Sequence, residues 1–184
     1  KNNRIKLSPP QIYYKEYEIS NLKNYYKKNP TKNSVKFERI RVQTDFIIFH
    51  HCRHSWKKNR NNIDYKGNEK LLKGFSQFLK KNKMINAKLI LFEYGQDVEA
   101  SKTLIKKINI EESIHWFPIL ERREIMYGIS LCDLGVGEIG LSWLTYSTLL
   151  EFLCMSKPII AYRDDHLYER SNQDLFEINN VSNS

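Results

Sequence analysis

The chain has only three cysteines among 184 residues, Cys52, Cys132 and Cys154. They are too few and too scattered for a disulfide framework. Their odd number, with no CxxC pair, fits a reducing compartment, so a cytoplasmic location is expected. No apolar run approaches the roughly 20 residues needed to span a bilayer. Lys1-Asn2-Asn3-Arg4 is followed by no apolar signal core. The chain does not open on Met, and we expect it to be a piece of a longer protein. No internal repeat or low-complexity tract is present. Three catalytic signatures are missing: a GxGxxG fingerprint followed by a helix opening, a Walker A lysine motif and a nucleophile elbow. A paired-carboxylate hydrolase is not indicated either. Acid is in deficit, with Asp plus Glu at 21 against Lys plus Arg at 30, a net charge of +9. That balance favours an anionic partner: phosphate, nucleic acid or an acidic membrane surface. Hydrophobic residues at 41% and aromatics at 12% suffice for a packed core, and the length suits one domain.

Residues 1–43 read as a polar lead-in, broken by Pro9-Pro10 and Pro30, with one short helix over 18–28. From residue 44 the pattern becomes regular, and 44–184 is taken as the domain proper. Asp45 to His50 is a short apolar run with β-branched and aromatic members, hence a buried strand. Ala87–Phe92, Ser113–Phe117, Leu134–Gly137 and Pro158–Tyr162 read as four more. Helices are expected from Gly67, with Leu71, Leu72, Phe75, Phe78 and Leu79 on one face. Further helices are expected after Asp97, which can cap, over Glu121–Ser130 and over Tyr146–Met155. Strands alternating with helices of this length predict an α/β fold, a Rossmann-like parallel sheet with helices on both faces. Ligands of such sheets sit at the carboxyl ends of the strands. The loops of interest are therefore 51–66, 93–97, 117–120, 136–146 and 162–169.

The first of these loops carries His50-His51-Cys52-Arg53-His54 and ends in Lys66-Gly67. Its cations lie at a strand's carboxyl end, just before a helix start. Guanidinium, ammonium and free helix N–H groups together can bind a diphosphate; a solvated basic loop is the plain alternative. Gly67 would let backbone approach the phosphate. The histidines and Cys52 lack the paired spacing of a structural zinc site, and strand neighbours point to opposite faces, so packed or hydrogen-bonded histidines beside a pocket are expected, with no metal. Ser147 and Thr148 open a helix and suit a phosphate oxygen or ordinary N-capping. Glu151, one turn on among Leu149, Leu150, Phe152 and Leu153, needs a partner: sugar hydroxyls or a basic side chain. Gly135, Gly137 and Gly140 with Glu138 form a small-residue loop that tight turns alone would explain.

Taken in order, these pieces over residues 44–162 resemble the C-terminal, donor-binding domain of retaining, glycogen-synthase-like GT-B glycosyltransferases. Arg53 followed by Lys66-Gly67 resembles the family's Arg and Lys-Gly pair, whose cations hold the nucleotide diphosphate. Ile114-His115-Trp116-Phe117-Pro118 resembles the strand and loop that cover the base. Cys132-Asp133-Leu134-Gly135-Val136 resembles the family's Asp-containing strand. Ser147 to Glu151, then Lys157-Pro158-Ile159-Ile160, resembles the Glu-containing helix whose Glu contacts the ribose. The chain also departs from the pattern. The position eight residues before Glu151 is Trp143 rather than an acid, and Glu138, which looks like the first acid of the two-glutamate motif, lies thirteen residues before it. Ser156 stands before Lys157-Pro158 where the family usually has Gly. The family's terminal helices and N-terminal acceptor domain are not expected within these residues.

The resemblance implies transfer of a sugar from a nucleotide diphosphate donor to a hydroxyl acceptor. Arg53, Lys66, Gly67, Ser147 and Thr148 would hold the diphosphate and Glu151 the ribose. Phe117 and Pro118 would flank the base, and Gly137 and Glu138 would face the sugar. Preorganised cations and helix amides would answer the leaving group's charge without a metal or other cofactor. The expected partners are a nucleotide sugar, an N-terminal domain in the same or another chain and a peripheral membrane surface, with nucleic acid not expected. Two other readings stay open: a nucleotide-sugar epimerase of the same fold, and a basic nucleic-acid-binding module.

Overall fold

The computed structural model describes residues 14–57, 65–140 and 147–162. After a 3₁₀ turn at Tyr14–Tyr17 come α1 (Ile19–Lys28) and α2 (Lys32–Val42). Then follow β1 (Phe46–Phe49), α3 (Asn68–Lys81), β2 (Ala87–Phe92), α4 (Val98–Lys107), β3 (Ile114–Phe117), α5 (Arg122–Leu131), β4 (Leu134–Val136), α6 (Ser147–Cys154) and β5 (Ile159–Ile160). All pairings are parallel and the strand order is β3-β2-β1-β4-β5. Each of the five expected strands is present; β2 has the expected bounds and the other four are slightly shorter.

The strands are apolar on both sides because helices cover both sides. Period-two alternation sends Ile47 and Phe49 of β1 to one layer and Ile48 to the other. One layer takes Leu71, Leu72 and Phe75 of α3 with Ile105 of α4. The opposite layer takes Met126 and Ile129 of α5 and Phe152 of α6. Helices thus change sides between β1 and β4, and the strand order reverses there. Such a reversal opens a crevice at the strands' carboxyl ends.

The segment read as a lead-in holds two helices rather than one. α1 occupies the expected stretch, and α2 follows a capping box in which Thr31 Oγ1 accepts from Ser34 N–H and Ser34 Oγ accepts from Thr31 N–H. Both pack on α5: Leu22, Tyr26, Phe37 and Ile40 are buried in the same core as Phe49 and Met126. α4 also starts differently from the sequence expectation. Asp97 sits at its N-cap without capping it; its carboxylate accepts instead from Trp56 N–H (2.6 Å) and Lys57 N–H (2.8 Å), which pins the loop after β1. Among the described residues, no helix is long and apolar enough to cross a membrane.

Candidate functional site

A cleft of about 450 Å³ opens at the carboxyl ends of the strands. That volume falls within the roughly 300–1,000 Å³ of small-molecule sites. His51, Cys52 and Arg53 after β1, Tyr94 after β2, Ile119 and Leu120 after β3, and Glu138 after β4 all line it. Lys66 closes one side and Ser147, Thr148 and Glu151 of α6 another. Residues from five distant stretches of sequence meet there because parallel topology brings every strand's carboxyl end to one edge.

Six of the residues singled out in the sequence therefore share the cleft: Arg53, Lys66, Glu138, Ser147, Thr148 and Glu151. Their pairings were not foreseen. Lys66 Nζ lies 2.7 Å from Glu138 Oε1, so Glu138 meets a cation in the same cleft that was assigned to the phosphate. Glu151, buried as expected for a carboxylate on an apolar helix, is bound by His51 Nε2 at 2.6 Å and by the Arg122 guanidinium at 3.2 Å. The basic partner that its burial demanded is thus supplied twice over. Thr148 Oγ1 takes a weak contact from the Cys52 thiol at 3.8 Å. Burial, with Glu138 adding to it, pushes that thiol up to about 12, so Cys52 stays protonated at neutral pH.

Three expectations are corrected. Phe117 cannot flank a ligand: it is fully buried and stacks on Phe37 with ring centroids 4.1 Å apart. Pro118 does not line the cleft; it lines a neighbouring groove with Tyr25, Tyr26 and Arg123. The loop after β3 instead presents Ile119 and Leu120. Gly137 is buried, with its N–H bonded to Ile160 O in continuation of the β4–β5 ladder, and does not line the cleft. Gly67 must be glycine for its surroundings alone, apart from any approach to phosphate. It holds the left-handed φ of 71°, and a Cβ there would stand 2.8 Å from Gly140 N. Gly140 in turn leaves no room for a Cβ against Tyr65 O. The loops after β1 and β4 thus touch backbone to backbone, and Ile139 N–H donates to Lys66 O at 3.1 Å. Ser156, where the family resemblance favours Gly, also adopts a left-handed φ, 52°. Trp143 lies outside the described residues.

The remaining histidines of the first loop are structural. His50 is fully buried; it shares a hydrogen bond with Val136 O (2.8 Å) through Nδ1 and accepts from Asn68 Nδ2 (2.9 Å) through Nε2. Burial, helped by His54, pushes its pKa down to about 3. His54 meets Ser101 Oγ at 2.8 Å, and burial brings it to about 4. Asn68 also accepts from Ser55 N–H, so the first turn of α3 holds the loop that carries Arg53. Among the described residues, no group of three or more His, Cys, Asp or Glu side chains is arranged to hold a metal.

Sequence reasoning missed Arg122 as a cleft residue, although its place just after the loop following β3 was a usable signal. It flagged the loop containing His51 without giving His51 a partner.

No family model matches the sequence, and no curated protein is similar to it in sequence. Solved structures do match in shape. A glycosyltransferase from Rickettsia africae superposes with a TM-score of 0.58 at 19% identity, over 82% of this chain and 36% of that one. Anabaena HepE in complex with UDP-glucose gives 0.53 at 17%, over 72% and 34%. The C-terminal domain of LpcC, a group 1 family glycosyl transferase from Francisella tularensis, gives 0.52 at 13%, over 72% and 66%. This chain spans about a third of the Rickettsia and Anabaena proteins. With its five parallel strands and two helical layers, it has the fold of one half of a GT-B glycosyltransferase.

Proposed function

We propose that this chain is the donor-binding half of a glycosyltransferase, one that moves a sugar from a nucleotide diphosphate to a hydroxyl acceptor. The observation that carries the reading is the single cleft at the strand-order reversal, lined by Arg53, Lys66, Ser147, Thr148 and Glu151. In the transfer, the bond between the sugar's anomeric carbon and the diphosphate oxygen breaks and a bond to the acceptor oxygen forms. Negative charge then gathers on the departing diphosphate. Arg53 and Lys66 answer that charge, with the Ser147 and Thr148 hydroxyls at the start of α6, whose first amides point out of the helix. These groups supply the stabilisation without calling on a metal. Glu151 takes the ribose hydroxyls. Tyr94, Ile119 and Leu120 form the apolar wall for the base, in place of Phe117 and Pro118. Glu138, through its pairing with Lys66, sits between phosphate and sugar. No residue of this chain is assigned to the acceptor's proton; a second domain closing over the cleft would bring the acceptor and complete turnover.

The test is calorimetric titration of the chain with a panel of nucleoside diphosphates. UDP is the first probe, because the similarly folded Anabaena HepE is solved in complex with UDP and with UDP-glucose. Lys66→Ala and Glu151→Ala should each weaken binding about tenfold or more, the scale of a charge-assisted hydrogen bond. Unchanged affinity in both variants would overturn the assignment. An isomerised nucleotide sugar after incubation with donor alone would instead point to an epimerase.

A further inference from the structure

The two oxygens of Glu151 are treated differently. Oε2 pairs with His51 Nε2 at 2.6 Å, and both side chains are nearly closed to solvent, 7% and 6% exposed. Oε1 faces Arg122 at the longer distance of 3.2 Å, and that guanidinium side chain is 46% exposed. The His51 ring is confined among Phe49, Phe92 and Phe152, with centroids 5.6, 6.4 and 5.4 Å away. Its Nδ1 is buried with no hydrogen-bond partner among the described residues. Neighbouring His50, by contrast, uses both nitrogens. An unmet buried nitrogen carries a desolvation penalty, which His54 Nε2 also bears; what sets His51 apart is that its bonded nitrogen meets a carboxylate rather than a hydroxyl. His51 bears that penalty and directs its one bonded nitrogen at a carboxylate in the cleft.

We infer that His51 is a positioning residue for Glu151: it anchors Oε2 and so leaves Oε1 as the oxygen offered to the ribose hydroxyls, the exposed Arg122 giving way. This rests on the ribose assignment for Glu151 made above. The fixed partner is the buried one and the exchangeable partner is the exposed one.

The experiment titrates the chain with UDP and with 2′,3′-dideoxy-UDP, which lacks the hydroxyls in question. His51→Ala should weaken UDP about tenfold, one charge-assisted hydrogen bond's worth. It should leave the dideoxy nucleotide within about twofold, the usual error of additivity. His51→Gln places an amide N–H near the former Nε2 and should restore UDP binding. If His51→Ala does not fold, His51→Phe keeps the ring packing and removes the donor. Equal weakening of both nucleotides, or of neither, would overturn the inference. So would a hydroxyl-dependent loss in Arg122→Ala without one in His51→Ala, since Arg122 would then be the anchor. Glu151→Ala separates the two levels. If it shows no hydroxyl-dependent loss, the ribose assignment itself fails; if it shows one and His51→Ala does not, the positioning role alone fails. Absence of UDP binding to the wild-type chain at millimolar concentration would overturn both for this nucleotide.

Discussion

The two layers of side chains on either side of the sheet are built from different material. Against α3 and α4 the core is largely aliphatic: Ile48, Leu71, Leu72, Leu89, Leu91, Ile105 and Val136. Against α1, α2, α5 and α6 it is largely aromatic, with Tyr26, Phe37, Phe49, Phe92, Phe117, Tyr127 and Phe152. The aliphatic layer is closed mainly by consecutive strand–helix–strand units, whose contacts are close in sequence. The aromatic layer needs two helices that precede the first strand, and it brings Phe37 onto Phe117 with rings nearly parallel. The neighbouring histidines follow the same division. His50 meets Asn68 of α3, whereas His51 meets Glu151 of α6. The layer assembled from long-range contacts is the one that holds Glu151 in the cleft.

Removing a ring should separate the layers most sharply. Phe37→Ala leaves a void between Phe49 and Phe117 and should cost about 3–5 kcal/mol in urea unfolding. A much smaller loss would mean that α2 is dispensable to that layer.

Acid should next act through the aliphatic side, where His50 and His54 lie against α3 and α4. Burial holds their pKa values near 3 and 4, below the usual 6.5. The unfolded chain therefore takes up protons that the fold refuses, and stability falls as pH drops below about 6.5. The urea midpoint should already decline between about pH 6.5 and 5, above most of the carboxylate range. A flat midpoint across that window would contradict the buried neutral rings.

The smallest effects should differ in sign. At Gly128 on α5 an added Cβ would meet Phe49 and Phe37 carbons at 2.7 and 2.8 Å, so Gly128→Ala should destabilise by about 1–3 kcal/mol. At Gly74 on α3 nothing among the described residues lies within 4 Å of an added Cβ, so Gly74→Ala should stabilise by up to about 1 kcal/mol. Thermal unfolding of the pair measures both.

What the sequence disclosed follows the same physical line. The strands were readable because doubly covered strands are short, dense apolar runs. α3 was readable from a broad apolar face, and α4 from Val98, Leu104, Ile105 and Ile108 at helical spacing. α2 was not, because only Ser34, Phe37 and Ile40 of its eleven residues are buried, and charge dominates the remainder. Arg53, Lys66, Ser147, Thr148 and Glu151 could be brought to one cleft from topology alone. Their partners could not, since His51 and Glu151 are 100 residues apart and nothing local records that they meet. Phe117 was misplaced because a residue ending a strand can face either layer, and here it faces Phe37.

The contact between Gly67 and Gly140 sets a gauge for the site. With no side chain between the two loops, the interval separating Lys66 from Glu138 is fixed by the thickness of main chain and not by rotamers. A single methyl group at either glycine would leave the sheet standing but spread that interval, mis-setting the spacing of charges along the cleft rim without removing any of them.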